Sequence, residues 1–156
     1  QYLTMYDEIF SSFRSHCSSS NAPSRPDLAA LSPDEFATGA RSTTSLLEIG
    51  VSYGGSLQIW KKYFGPFSLI VGIDIDQRVC ANPHLQPSGV TVYCFDATNT
   101  PALEAFHSHP DAMNNTLFDI IIDDGSHVGT DVVTSFNTSF QFLRPGGVFA
   151  VEDAAW

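Results

Sequence analysis

Two pairs of neighbouring carboxylates, Asp123-Asp124 and Glu152-Asp153, each close an apolar run, and His127 follows the first pair by three residues. The runs are Phe118–Ile122 and Val148–Val151, short and almost continuously apolar, as strands buried on both faces should be. Adjacent parallel strands lie about 4.8 Å apart, so pairing these two would crowd four carboxylates into one small region. Like charges at that range repel unless something positive sits among them. A hard divalent cation meets the need: Mg2+ takes a few carboxylates and fills its remaining positions with water and substrate. His127, on the turn into the next helix, is close enough to act as a base. Each residue also has a structural use. One of Asp123 and Asp124 suits the N-cap of the following helix, His127 suits a turn hydrogen bond, and Glu152-Asp153 suit a solvated surface.

A second constellation lies upstream in Leu46-Leu47-Glu48-Ile49-Gly50-Val51-Ser52-Tyr53-Gly54-Gly55-Ser56. An apolar run ends around Glu48, and the glycine turn then opens a helical stretch. Glycine lacks Cβ and tolerates positive φ, so such a turn lets backbone approach a ligand closely. The spacing is not the dinucleotide fingerprint G-x-G-x-x-G, whose glycines seat a pyrophosphate at a helix N-terminus. An acid two residues before the first glycine suits a cationic ligand without phosphates. Two more runs end in acids: Leu69–Ile73 leads to Asp74 and Asp76, and Val90–Phe95 leads to Asp96. An acid at the position of Asp74 can accept hydrogen bonds from two ribose hydroxyls, while Asp76, further into the loop, suits a cap. Asp96 is placed to meet an adenine amino group; taken alone it suits a turn cap equally well.

These acids can converge only if the elements beneath them alternate. Apolar runs at Leu46–Ile49, Leu69–Ile73, Val90–Phe95, Phe118–Ile122 and Val148–Val151 predict strands, and Ser56–Phe64, Pro101–His107 and Thr130–Leu143 predict helices between them. Pro83 limits any helix over Gln77–Leu85. The pattern is that of a doubly wound α/β domain with a parallel sheet covered on both faces, which binds ligands at the carboxyl ends of its strands. Arg144-Pro145-Gly146-Gly147 reads as a helix stop and strand entry. Leu3, Tyr6, Ile9, Phe10 and Phe13 predict an amphipathic N-terminal helix packed on the domain. Ser18–Ser45 reads as a connector with a short helical turn near Pro33–Phe36, which would suit a cap over a ligand. Trp60, Tyr63 and Phe64 fall at core-facing spacing. His16, His84, His107 and His109 lack metal-ligand spacing and read as surface residues.

Composition narrows the class. The 156 residues are 43% hydrophobic and 15% charged, which fits one folded domain rather than a disordered chain. A net charge of −10 with only 7 Lys and Arg excludes a nucleic-acid surface and favours a neutral or cationic small molecule. No apolar run reaches the roughly 20 residues that span a bilayer, and no secretory leader is visible, so a cytoplasmic location is expected. Cys17, Cys80 and Cys94 are an odd number without C-x-x-C spacing, which suggests neither a disulfide framework nor a zinc site; Cys94 reads as core.

The glycine turn and its acids resemble motif I and its sequels in class I S-adenosylmethionine-dependent methyltransferases. The resemblance implies a Rossmann-like, doubly wound and mostly parallel sheet over residues 45–156, preceded by a helix and cap segment over 1–44. It implies that Glu48, Gly50 and Gly54 line the amino-acid portion of S-adenosylmethionine, that Asp74 binds its ribose, and that Asp96 binds its adenine. The run Ile122-Asp123-Asp124-Gly125-Ser126-His127, followed by Val151-Glu152-Asp153, is similar to the Mg2+-dependent sugar O-methyltransferases of macrolide biosynthesis and to cephalosporin-hydroxylase-type proteins. Carried over, this makes Asp124, Glu152 and Asp153 the metal ligands and His127 the general base, with Asp123 on the cofactor side or supporting the turn. The expected partner is a hydroxylated small-molecule acceptor, a sugar or other vicinal diol, with no nucleic acid and no membrane. Methyltransferases of this class carry two further strands after the fifth, so a C-terminal segment or a second copy is expected to complete the sheet. A non-catalytic cofactor-binding domain and a nicotinamide-dependent oxidoreductase are the alternative readings; the absent G-x-G-x-x-G counts against the latter.

Overall fold

The computed structural model describes residues 2–14, 43–85 and 89–153. Its strands are β1 (Ser45–Ile49), β2 (Leu69–Asp74), β3 (Thr91–Cys94), β4 (Phe118–Asp123) and β5 (Leu143–Val151). The helices are α1 (Tyr2–Phe10), α2 (Gly55–Phe64), α3 (Gln77–Cys80), α4 (Thr100–Ser108) and α5 (Gly129–Ser139). The strands form one sheet in the order β3-β2-β1-β4-β5, and every pair is parallel. The chain winds outward from β1 to β3, then returns to the other side for β4 and β5. The switch therefore falls between β1 and β4, where such sheets open their ligand crevice.

Burial explains the strand sequences. β1 and β4 are buried along their whole length, and alternate residues feed two separate apolar layers. Leu46, Ile120 and Ile122 join Leu57, Trp60 and Phe64 of α2 and Tyr6 and Phe10 of α1. Leu47, Val71 and Ile121 join Leu103 and Phe106 of α4 on the opposite face. A period of two with both faces covered reads as a continuous apolar run, which is why these strands were visible in the sequence. α4 begins as its residues dictate, with Asn99 capping the Ala102 amide and Pro101 in the first turn.

Several expectations need correction. Cys80 and Cys94 are joined by a disulfide, tying α3 to the end of β3; Cys94 is not simply a core thiol. His107 is buried, its ring stacked on Phe142 at 3.8 Å and its Nε2 bonded to the Thr116 carbonyl at 2.9 Å. Burial is also what holds the His107 imidazolium form below its ordinary stability. Ile9 is exposed, so α1 buries Tyr6 and Phe10 alone among its described apolar side chains. β5 already begins at Leu143: Phe118 pairs with Leu143, the register shifts, and the ladder resumes at Ile120 and Val148. Arg144-Pro145-Gly146-Gly147 is thus an irregularity within the strand, and Arg144 lies 3.6 Å from the buried Asp119 carboxylate, which also accepts from the Ser45 amide and hydroxyl. The turn expected near Pro33–Phe36 lies outside the described residues, as do His16 and Cys17. Among the described residues no helix is long and apolar enough to cross a membrane.

The carboxyl ends of the strands are locked together by backbone bonds that extend the ladder into the loops. The Gly50 amide donates to Ile73, Asp124 to Ile49 and Glu152 to Asp123, at 2.8, 2.8 and 2.9 Å. Gly50 has φ +86°, and a Cβ there would fall 2.2 Å from the Asp124 carbonyl oxygen. Its glycine is required by contact between two loops of the protein itself. Gly50→Ala should therefore cost on the order of 2–4 kcal/mol in urea denaturation, whereas Gly55→Ala, with open space around it, should stay within about 0.5 kcal/mol of the parent. Equal stability of the two variants would contradict this account.

Candidate active site

A cleft of about 630 Å³ opens at the switch point, lined by the β1–α2 loop, the ends of β2 and β3, and the β4–α5 loop. That size is typical of small-ligand sites. Of the residues singled out from the sequence, Gly50, Asp74, Asp96, Asp123 and Asp124 line it, while Glu48, Gly54, His127, Glu152 and Asp153 are not among the lining residues. Gly54 has φ +79° and makes room for Leu85, whose side chain a Cβ would strike at 2.1 Å. Ser56, not singled out beforehand, is on the wall.

Asp74 holds the glycine loop. One carboxylate oxygen accepts the amides of Val51 and Ser52, both at 2.8 Å, and the other accepts the Asp76 amide at 2.8 Å. The two loop amides take both lone pairs of Oδ2, while Oδ1, which accepts the Asp76 amide, retains a second lone pair for a ligand. Asp76 points away: it caps α3 through the Arg78 amide and pairs with the Arg78 guanidinium at 2.6 Å. Asp96 accepts the Thr98 hydroxyl at 2.7 Å and amide at 2.9 Å, and these bonds lower its pKa. Asp123 is buried, taking the Gly125 amide at 3.2 Å and the Ser135 hydroxyl of α5. It supports the turn while forming part of the cleft.

Glu48 faces the α2 layer. It is buried, and its carboxylate accepts from the Ser56 hydroxyl and, at 2.7 Å, from Trp60 Nε1. Burial pushes its pKa from 4.5 up to about 7; the bonds from Ser56 and Trp60 oppose the rise, and Asp124 and Glu152 add to it. Glu48 thus reaches the cleft only through Ser56.

A second group of titratable side chains gathers around Asp124, the one of its members that lines the cleft. Asp124, His127 and Asp153 each bring a potential ligand atom within 4.8 Å of the others. His127 Nε2 is 3.9 Å from Asp124 Oδ1, and Nδ1 lies 3.3 Å from the Glu152 carbonyl. With a proton on Nδ1 donated to that carbonyl, Nε2 carries the lone pair that faces the acids. Burial raises the Asp124 pKa, reinforced by Glu152, Asp153 and Asp123 and opposed by His127. His127 (φ 59°) and Asp153 (φ 46°) both adopt the left-handed region, as does Ser52 (φ 52°) in the glycine loop. Side chains other than glycine are held in that region only where the surroundings enforce it, often at functional sites. Glu152 is beside this group but not of it: its carboxylate accepts the hydroxyl of Tyr6, from α1. Tyr6 is buried, and burial followed by the Glu152 bond raises its pKa, so it remains a donor. Its part in the site was not foreseen; sequence periodicity marked Tyr6 only as core-facing.

Three comparisons bear on this arrangement. A family model described as "Methyltransferase domain" matches residues 47–154. The chain is 38% identical over 125 residues to an 8-demethyl-8-alpha-L-rhamnosyl tetracenomycin-C 2'-O-methyltransferase of Streptomyces olivaceus, covering 76% of this chain and 30% of that protein. It is 36% identical over 115 residues to the demethylmacrocin O-methyltransferase of Streptomyces fradiae, covering 69% and 27%. Among solved structures it resembles the MycE methyltransferase of the mycinamycin biosynthetic pathway, in complex with Mg, SAH and mycinamycin VI, with TM-score 0.70 and 28% identity over 97% of this chain and 34% of that one. The chain thus spans only about 30% of the length of the first of these curated relatives.

Glu48 yields a prediction with a definite sign. Its folded pKa lies above its ordinary value, so its contribution to stability is fully present below pH 4.5 and is lost as pH rises through about 7. Glu48→Gln should flatten the stability profile between those values and exceed the parent by on the order of 1–3 kcal/mol at pH 8, measured by urea denaturation across pH. A variant whose profile keeps the parental slope would show that Glu48 is not the group responsible.

Proposed function

The chain belongs to the methyltransferase-domain family, and from that premise we propose that it is an S-adenosylmethionine-dependent, Mg2+-assisted O-methyltransferase acting on a hydroxyl of a small molecule, a sugar or other vicinal diol. The observation that carries this reading is one residue shared by two features: Asp124 lines the cleft and also belongs to the cluster with His127 and Asp153. A methyl donor bound in the cleft and an acceptor bound at the cluster would meet there.

The residues suit the parts they are given. Asp74 would accept a ribose hydroxyl at Oδ1, on the lone pair beside the Asp76 amide, while Oδ2 holds the two loop amides. Asp96 accepts from the adenine amino group, held in its turn by Thr98. Gly50 and Ser56 face the amino-acid portion, while Glu48 and Gly54 act from behind, through Ser56 and Leu85. The oxygen-rich donor set fits a hard cation, and Asp124, whose pKa is raised first by burial and then by Glu152, is a carboxylate that a cation would hold ionised. Asp124 and Asp153 would hold Mg2+, with Glu152 reaching it from beside the group, and the ion would supply Lewis-acid polarisation of the acceptor hydroxyl. His127 Nε2 takes the hydroxyl proton as the oxygen gains its methyl group, with Nδ1 anchored on the Glu152 carbonyl to fix the ring. Alignment of the two substrates along the Asp124 edge contributes the rest.

We place residues 45–156 in the catalytic domain and 1–44 in a helix and connecting segment. Among the described residues β5 is an edge strand with Val151 exposed, which suits a further segment or a second copy. A cytoplasmic location would hold Cys80 and Cys94 as dithiols.

The test is methyl transfer from S-adenosylmethionine to deoxysugar glycosides, with Mg2+ or chelator, together with calorimetric Mg2+ binding. His127→Ala should lower turnover about 10²–10⁴-fold and leave Mg2+ affinity unchanged. Loss of Mg2+ binding in that variant would make His127 a ligand instead of the base. Donor binding without Mg2+ affinity or transfer would favour the non-catalytic reading.

A further inference from the structure

We propose that Tyr6 is a positioning residue for the acidic cluster, its hydroxyl holding the Glu152 carboxylate where the proposed cation needs it. This inference rests on the metal-assisted reading above and adds to it a residue from the opposite end of the chain.

The aromatic ring and the hydroxyl of Tyr6 have separable roles. The ring is packed between Phe10, stacked at 5.1 Å, and Trp60, edge-on at 5.1 Å. A phenylalanine would fill that space equally well, so packing accounts for the ring and not for the oxygen. The oxygen reaches Glu152, 146 positions away, and donates to one carboxylate oxygen, leaving the second free. The Glu152 main chain is fixed independently, its amide on Asp123 and its carbonyl against His127 Nδ1. What remains to be set is the direction of its side chain. The Tyr6 hydroxyl holds it on the core side.

The same contact gives α1 a second connection to the site. Trp60, against which Tyr6 packs, donates to Glu48, and Glu48 accepts from Ser56 on the cleft wall. Tyr6→Phe leaves this ring contact in place and removes only the bond to Glu152. That separation makes the proposal testable apart from general effects on folding.

Mg2+ is titrated calorimetrically into the full chain saturated with S-adenosylhomocysteine, for the parent, Tyr6→Phe, Glu152→Gln and the double variant. Loss of an outer partner of a metal ligand weakens metal binding typically about 10–100-fold. Tyr6→Phe should therefore bind Mg2+ about tenfold more weakly or worse, with S-adenosylhomocysteine affinity and melting temperature retained. In the Glu152→Gln background it should add no further loss, because the two residues act as one unit. Parental Mg2+ affinity in Tyr6→Phe, or losses that add in the double variant, would overturn the proposal while leaving the metal-assisted reading standing. A parent chain that binds S-adenosylhomocysteine but no Mg2+ would overturn both.

Discussion

Parallel pairing forces the acids of this chain together. Asp123 pairs with Ile49 on one side and Val151 on the other, and the ladder continues beyond the strands through Asp124 to Ile49 and Glu152 to Asp123. Once those backbone bonds form, Asp124, Glu152 and Asp153 must occupy adjacent loops whatever their mutual repulsion. Backbone hydrogen bonding and burial of β1 and β4 drive the arrangement, and the electrostatic cost is carried at the site. The raised pKa of Asp124, set first by burial and then by Glu152, is its visible sign. A fold that stores repulsion at one point is prepared to bind a cation there.

The cleft depends on the same constraint from the other side. Gly50 fits against the Asp124 carbonyl only because it lacks a Cβ, so the loop that would surround the methyl donor and the loop that carries the acids are packed directly on each other. Asp74 then fixes the first loop by accepting two of its amides. The proposed donor and acceptor sites would in this way share one backbone contact, and displacement of one would be felt at the other.

Much of this was legible in the residues, for physical reasons. Continuous apolar runs mark strands covered on both faces, and acids placed just after them mark the end of the sheet where ligands bind. Alternation along β1 sets the direction of Glu48. It shares a face with Leu46, towards Trp60, and not with the cleft. His107 could also have been recognised, since Leu103, Phe106 and His107 lie at the i, i+3, i+4 spacing of a buried helical face. The Cys80–Cys94 bond and the Tyr6–Glu152 contact carried no local signal. The first requires knowing how close α3 lies to β3, and the second joins residues 146 positions apart.

Titration of S-adenosylhomocysteine into the folded chain tests the central claim most directly, that the switch-point cleft is a methyl-donor site built around Asp74. The account predicts saturable binding that weakens by about tenfold or more in Asp74→Ala, the loss of charge-assisted hydrogen bonds to a bound ligand. A folded chain that takes up no S-adenosylhomocysteine, or one whose binding is indifferent to Asp74→Ala, would contradict it.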